Sequence, residues 1–587
     1  MKTLKIIISS FKNTKIFTII FFLLSIILNY LVTYVPIVIQ YFIDTILHQK
    51  NENELLNRIT QLSVNRINFV LLTCIILGII ELTIILFTYI RNIIKNKIIQ
   101  EFQYSLKLKL FSHIQNMTYE NFYSNTLADL VQNSTDDIKN MVNFIEKQFV
   151  SILDILLIIL FAIIQLSTIE YKLSIIMIIS TFLIILLSIW YYSKSRKLIN
   201  NTIKIQNEMY TKINDNYKNL KFIKLNNLEK SEKINFEQIL KENEIYNTKK
   251  IETDATYHVG ISTLVKMQPV FIFILSGYLY MISKISIGSI YVTLNYSNNI
   301  TKSFSAISEM IEIFNLSIIS YKRLENLFKL DIEKKENKDI YLNNKTIVFK
   351  NVDIIVNNKI ILENINFIIN ENEKVLLVGA TGSGKSILLK TLTGFYDYTG
   401  SIKIGDYELR DLDKQTIRKN ICLVVQDSYI FSKTIEENIK ILNKDITCEE
   451  MLNIAEQFTI HEYVKNLKEG YNTFIGAKGI KLSKGQKQRL VLSRSYTDIK
   501  PIMIFDDSLS AVDLTNKNKI LNSIMEDEKH FTKIFVDNDL SLVHKFNKII
   551  YLNNQTAIVG NHLELLNNEK YRKIYELNQD QLGEEYV

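Results

Sequence analysis

The stretch Lys374-Val-Leu-Leu-Val-Gly-Ala-Thr-Gly-Ser-Gly-Lys-Ser386 decides the fold of the C-terminal half of this chain. Four consecutive apolar residues, Val375 to Val378, read as a buried strand. The strand runs straight into Gly379-x-x-x-x-Gly384-Lys385-Ser386, the pattern of a phosphate-binding P-loop. Gly379, Gly382 and Gly384 let the backbone take positive φ, so that successive N–H groups across Ala380, Thr381 and Ser383 point at phosphate oxygens. Lys385 adds a mobile positive charge and the Ser386 hydroxyl is suited to Mg2+. A second apolar strand, Pro501-Ile-Met-Ile-Phe505, ends in Asp506-Asp507. Its carboxylates are expected at the carboxyl edge of the same sheet, with Asp506 holding the magnesium shell.

Working outward from the P-loop, the composition changes near residue 330. Before it lie long apolar runs broken by charged stretches. Six runs approach the roughly 20 residues needed to cross a bilayer: Ile16–Ile39, Phe69–Tyr89, Val150–Thr168, Leu173–Tyr192, Val259–Ile282 and Ile287–Phe314, the last being the least apolar. The expected fold is therefore an α-helical six-span transmembrane domain (1–325), a linker (326–344) and an α/β P-loop nucleotide-binding domain (345–587).

The 69 Lys+Arg against 61 Asp+Glu give a net charge of +8, which could serve a nucleic acid or a membrane surface. Their distribution selects the membrane. Lys2, Lys5, Lys12 and Lys15 precede the first span; Arg91, Lys95 and Lys97 follow the second; Lys194, Arg196 and Lys197 follow the fourth; Lys322 and Arg323 follow the sixth. By the excess of basic residues on cytoplasmic loops, both termini are expected inside the cell, in the plasma membrane, with no nucleic-acid partner. The first run has no small-residue cleavage site and reads as a retained helix. Charged stretches of some fifty residues follow spans two and four, and are expected to be cytoplasmic helical extensions. Cys74, Cys422 and Cys448 show no metal-ligand spacing and read as thiols packed as small hydrophobes. Abundant Asn, Ile and Lys with only 3 Pro suggest an AT-rich bacterial genome.

Between the P-loop and Asp506 lies Leu482-Ser-Lys-Gly-Gln486, followed by Lys487-Gln-Arg-Leu. With it, nearly the whole chain resembles an exporter-type ATP-binding cassette transporter. Gln426 with Phe431, Thr434-Ile435 and Asn438 resembles that family's Q-loop, which implies Gln426 as a further ligand of the Mg2+ that accompanies ATP, and Ser510-Ala-Val-Asp513 resembles its D-loop. Pro36 near Asp44, Phe122 before Asp129-Leu130, and Tyr321-x-Arg323 resemble its membrane landmarks. The resemblance implies two cassettes that sandwich two ATP molecules head-to-tail. Ser483, Lys484, Gly485 and Gln486 of one chain would then face the γ-phosphate held by its partner.

The chain departs from the family pattern where hydrolysis is performed. Asp507 stands where the family has a catalytic glutamate, and Asn538 where it has a switch histidine, with His544 out of register. Val356 replaces an adenine-stacking aromatic, Lys484 a glycine and Ala477 a coupling glutamate. A carboxylate one methylene short, and an amide that cannot carry charge or relay a proton, predict a site that binds Mg-ATP and hydrolyses it slowly or not at all. The expected assembly is a heterodimer with a second half-transporter subunit, a homodimer being the alternative. The sixth span carries Thr293, Asn295, Asn298, Asn299, Thr301, Lys302, Ser303 and Ser305, a face that avoids lipid and suits a cavity for peptides or other amphipathic substrates. The chain begins almost at span one, so no peptidase domain is expected before it. Glu81, Asp154, Lys266 and Lys302 are in-span charges of mixed sign that do not settle the charge of a substrate. A regulatory or ATP-gated subunit that binds nucleotide without pumping is the competing class, while a soluble cassette acting on DNA is excluded by the spans.

Overall fold

In the computed structural model, residues 12–47, 66–124, 133–305, 307–333, 342–356, 359–426, 429–476, 479–537 and 540–584 are described. The chain divides into two compact units, one of Met1–Gln115 with Asn125–Leu330, the other of Asn116–Ser124 with Asp331–Val587.

The first unit is helical. Its main helices are α1 (Lys15–Ile46) and α2 (Arg66–Gln115), then, after a short α3 (Tyr119–Ser124) that belongs to the second unit, α4 (Val150–Ile169), α5 (Tyr171–Lys218), α6 (Leu220–Leu225), α7 (Glu229–Met281), α8 (Ile287–Ser305) and α9 (Ile307–Lys329). Five described helices are long and apolar enough to cross a bilayer: Lys15–Ile46, Asn68–Gln115, Thr135–Ile169, Tyr171–Lys218 and Glu229–Met281. At 1.5 Å per residue, the 48 residues of α5 span about 72 Å, more than twice a hydrocarbon core. The charged stretches are therefore continuations of the spans. Outward-facing Ile79, Leu82, Ile85 and Leu86 on α2, and Ile175, Ile178, Ile179 and Phe182 on α5, are exposed, as lipid-facing side chains must be. The inner faces close over Ala162, Leu166, Met177, Ile184, Tyr257 and Ile261. There Tyr191 stacks on Tyr257 at 4.0 Å and donates to Asp254 at 2.7 Å.

Helix α8 falls short of the five in hydropathy, and the structure shows why it tolerates polar residues. Val292, Tyr296 and Ile300 enter the same core, and Thr293 and Ser297 are fully buried beside them. Its start is tied to α1: Gln40 donates to Ser289 at 2.9 Å, while Asp44 accepts from the Ser286 hydroxyl at 2.6 Å and the Gly288 N–H at 2.8 Å. A Cβ on Gly288 would meet Asp44 Oδ1 and the Gln40 carbonyl at 2.7 Å, so the approach requires glycine.

The second unit carries two sheets. Strands β1 (Ile347–Val356), β2 (Lys359–Ile369), β4 (Tyr398–Ile404) and β5 (Tyr407–Glu408) form an antiparallel sheet in the order β2-β1-β4-β5. Strands β3 (Lys374–Gly379), β6 (Ile421–Val424), β7 (Ile502–Asp506), β8 (Thr532–Val536), β9 (Lys548–Asn553) and β10 (Thr556–Gly560) form the larger sheet, in the order β10-β9-β3-β8-β7-β6. All of its neighbours are parallel except the β9/β10 pair. The strands β7 and β8 are buried throughout and β3 from Val375 onward, which accounts for unbroken apolar runs in place of an alternating pattern. Helices α10 (Lys385–Leu392), α11 (Lys484–Tyr496) and α12 (Leu514–Met525) pack on this sheet.

Candidate functional site

Parallel strands bring their carboxyl ends to one edge, where ligands bind in open α/β sheets. Here β3 delivers the P-loop, β6 leads to Gln426, β7 ends in Asp506-Asp507 and β8 leads to Asp537. They enclose a cavity of about 420 Å³ whose lining includes Gly382, Ser383, Gly384, Lys385, Ser386, Gln426, Asp506 and Asp507. Gly382 and Gly384 sit at φ of 85° and 97°, as the turn demands. A Cβ on Gly379 would strike the Leu552 carbonyl and Ser383 Oγ, both at 2.6 Å.

The side chains are arranged for a polyanion and a divalent cation. Lys385 Nζ donates to the carbonyls of Gly379 and, at 3.2 Å, Ala380, and burial lowers its pKa against the pull of Asp506 and Asp507. The Ser386 hydroxyl donates to Asp506 Oδ1 at 3.3 Å. Ser383 Oγ is buried with no hydrogen-bond partner, so it is a polar atom awaiting one. Burial raises the pKa of Asp506, and burial, Asp537 and Asp506 together raise that of Asp507; a cation between these carboxylates would relieve both. Mg2+ takes one or two protein oxygens and completes its shell with phosphates and waters. Ser386 and Asp506 fit that role, and no cluster of three or more His, Cys, Asp or Glu forms an all-protein metal site among the described residues.

Gln426 is exposed and donates through its amide nitrogen to Asp507 Oδ2. Asp507 is held at φ 49° with its N–H bonded to the Val536 carbonyl at 3.2 Å, a left-handed conformation uncommon outside glycine, asparagine and aspartate. Asp537 is paired with Lys517 at 2.9 Å. No aromatic residue lines the cavity among the described residues, and Val356 packs against the core of the smaller sheet. His544 is exposed, and Asn538 and Ala477 lie outside the described residues.

The stretch from Ser483 to Gln486 is not part of this cavity. Ser483 caps α11: its hydroxyl accepts from the Gln486 N–H at 3.2 Å, and its own N–H donates to Gln486 Oε1 at 2.9 Å. Lys484 is exposed in the first turn, where the positive helix end favours an anion. Gly485 packs on the D-loop, since a Cβ there would meet the Ala511 carbonyl at 2.6 Å. Gln488 locks the pair by accepting from the Ala511 N–H at 2.9 Å.

Two supporting features were not read from the sequence. Arg494, buried in α11, donates to the Asn438 carbonyl, Asn438 Oδ1 and the Tyr429 carbonyl, each at 2.9 Å, and its guanidinium lies over Phe431. It thereby fixes the segment that follows Gln426. An arginine among Val491, Leu492 and Tyr496 was the available signal. The second is α3, whose Tyr119 packs on Phe395 within the cassette unit.

In the membrane unit, Asp154 pairs with Arg91 at 2.8 Å and accepts from Asn29 at 2.9 Å. Arg323 approaches Asp137 at 3.6 Å. The side chains of residues 301–309, Lys302 among them, and Asp129-Leu130 lie outside the described residues.

A phosphate cradle on a parallel sheet, joined in one chain to bilayer-length helices, defines a membrane-bound nucleotide-hydrolysing protein. Residues 362–510 match the ABC transporter family model and residues 18–304 the ABC transporter transmembrane region. The chain belongs to the ATP-binding cassette transporters, with membrane and ATPase regions fused in the exporter arrangement. It is 26% identical over 481 residues to YgaD of Bacillus subtilis (strain 168), provisionally named a multidrug export ATP-binding/permease protein, covering 80% of this chain and 82% of that one. It is also 26% identical over 508 residues to SAB1799c of Staphylococcus aureus (strain bovine RF122 / ET3-1), which carries the same provisional description, covering 83% and 85%. A solved bacterial Atm1-family ABC exporter with ATP bound shares the fold at a TM-score of 0.83 and 18% identity, over 96% of this chain and 99% of that one.

Proposed function

We propose that this chain is one half of a dimeric exporter, set in a bacterial plasma membrane with both termini cytoplasmic, that moves amphipathic substrates, peptides among them, outward at the expense of ATP. Its own P-loop binds Mg-ATP and turns it over slowly, and its partner is a different half-transporter that supplies a glutamate and a histidine to a second, faster site. The multidrug description of relatives at 26% identity supports an amphipathic cargo.

The observation that carries the reading is the contrast inside one cavity. The phosphate cradle is complete, with Lys385, Ser386 and Asp506 in place, whereas the position that must activate water holds Asp507, in a left-handed turn and engaged by Gln426. An aspartate ends about 1.5 Å short of a glutamate, and such a misplacement is worth on the order of a hundredfold in rate. The Ser386 hydroxyl and Asp506 orient the metal–phosphate unit, Lys385 neutralises phosphate charge, and Mg2+ when bound supplies the charge stabilisation for phosphoryl transfer. In the heterodimer, the exposed N-terminus of α11 with Ser483, Lys484 and Gly485 faces the partner's nucleotide, where the lysine adds a favourable charge.

The test is equilibrium binding of labelled ATP by the purified chain in lipid. Saturable binding abolished by Lys385→Ala, with turnover low until a partner subunit is added, is the expected result. Absence of Lys385-dependent binding would end this reading.

A further inference from the structure

The membrane unit contains a cavity of about 230 Å³ formed by Val32 and Pro36 of α1, Glu81 and Ile84 of α2, and Tyr291 and Asn295 of α8 among others. Among the described residues Glu81 is the one charged side chain in its lining; Lys266, on α7, is not part of it. Twelve residues separate Phe69, where the apolar run of α2 begins, from Glu81, a rise of about 18 Å into a hydrocarbon layer of about 30 Å. The carboxylate therefore sits near the middle of the membrane, where an ionisable group is costly and its presence calls for a function.

Two other acids on the membrane helices show what a structural carboxylate looks like here. Asp44 accepts from Ser286 and Gly288, and Asp154 is paired with Arg91 and held by Asn29. Glu81 makes no hydrogen bond or ion pair among the described residues and is exposed. Its neighbours add to the same chemistry. Pro36 has no N–H to give the Val32 carbonyl four residues earlier, and both residues line the cavity. Asn295, whose amide oxygen accepts from Asn299 at 3.1 Å, and the aromatic Tyr291 also line it, and an aromatic ring is a partner for a cation. Apolar side chains make up the remainder.

A carboxylate, an aromatic residue, apolar walls and, among the described residues, no lysine or arginine in the lining are the features that recognise an organic cation. We propose that this cavity is the subsite for the positively charged head of an amphipathic substrate, and that Glu81 sets the charge preference of transport. The cavity holds such a head, with the apolar remainder lying along the helices. The inference rests on the reading of the chain as an exporter and narrows its substrate class from amphipaths in general to cationic ones.

The test is equilibrium dialysis of tetraphenylphosphonium, and of its anionic counterpart tetraphenylborate, against the full chain in zwitterionic lipid nanodiscs, with empty discs subtracted. Saturable binding of the cation and none of the anion is expected. Glu81→Gln should weaken cation binding at least tenfold, Glu81→Asp should restore part of it, and Tyr291→Leu should weaken it by a smaller factor; a monodisperse elution profile marks each variant as folded. No saturable cation binding by the native chain, or binding unchanged in Glu81→Gln, overturns the proposal. Failure of the export reading is distinguishable, because it would leave Glu81-dependent binding intact but give no ATP-driven accumulation of tetraphenylphosphonium in inside-out vesicles.

Discussion

Tyr119 stacks on Phe395 with ring centroids 4.6 Å apart, although Tyr119 lies in sequence among the membrane helices and Phe395 just beyond the P-loop helix. Lys390 of α10 lies over the same tyrosine ring and reaches its hydroxyl at 3.4 Å. Arg418 covers Phe395 and is bound in a fork to Glu333 at 2.6 and 2.9 Å. The short helix α3 is thus docked on the element that begins with Lys385 and Ser386. Aromatic contacts of this kind contribute about 1 kcal/mol beyond area burial.

Replacing Tyr119 by alanine should therefore uncouple the two activities. ATP binding by the chain should persist, while transport per ATP hydrolysed by the assembled transporter falls severalfold. Parallel measurement of substrate accumulation and phosphate release checks this, and an unchanged ratio would show that α3 transmits nothing.

Arg494→Leu removes the donor shared by the carbonyls of Tyr429 and Asn438 and by the Asn438 side chain, all inside the cassette. Leaving such buried groups short of a donor costs about 2–3 kcal/mol, which should lower the cassette's thermal midpoint by roughly 5–10 °C. A melting curve followed by near-ultraviolet signals decides it, with a midpoint like the native one contradicting the assignment.

Gly485→Ala should damage the assembled transporter more than this chain's own nucleotide binding. The added methyl must push away the Ala511 backbone, separating the cap of α11 from the D-loop, with a loss of turnover of at least tenfold in the two-subunit protein. Equal turnover in native and variant pairs would show that α11 does not contribute to the partner's site.

The three cysteines separate by environment, and the expectation that all are packed as small hydrophobes holds for one. Cys74 and Cys448 are exposed, while burial pushes the Cys422 thiol up to about 11. The thiolate is the reacting form and grows as pH rises through the pKa, so at pH 8 only about one Cys422 in a thousand is reactive. Maleimide labelling at pH 8 should mark Cys448 and spare Cys422, with Cys422 labelling rising as pH approaches 11. Equal rates for the two at pH 8 would contradict the partly buried placement of Cys422.

The cassette was readable because phosphate chemistry fixes residue types at fixed spacing: Gly379 to Ser386 and Asp506 identify their own strands, and a parallel sheet must bring those strand ends together. The spans were readable because lipid requires continuous apolar helices. What escaped the sequence depended on distant pairs. Arg494 with Asn438, and Tyr119 with Phe395, carry no local pattern, and Gly288 is recognisable as necessary only once Asp44 and Gln40 stand against it. Glu81 was visible as a mid-membrane charge, but the mixed signs of Glu81, Asp154, Lys266 and Lys302 gave it no distinct place until Arg91 was seen to pair with Asp154 and Glu81 to be the charged residue lining the cavity among the described residues.

The central claim is a site that holds ATP and is slow to cleave it because Asp507 is one methylene short. Steady-state ATP turnover by the purified chain in lipid, beside Lys385→Ala and Asp507→Glu, tests it most directly. The account predicts low turnover for the native chain, none for Lys385→Ala, and a gain of tenfold or more for Asp507→Glu. Fast Lys385-dependent turnover by the native chain alone, with no gain from Asp507→Glu, would contradict it and identify a competent homodimer.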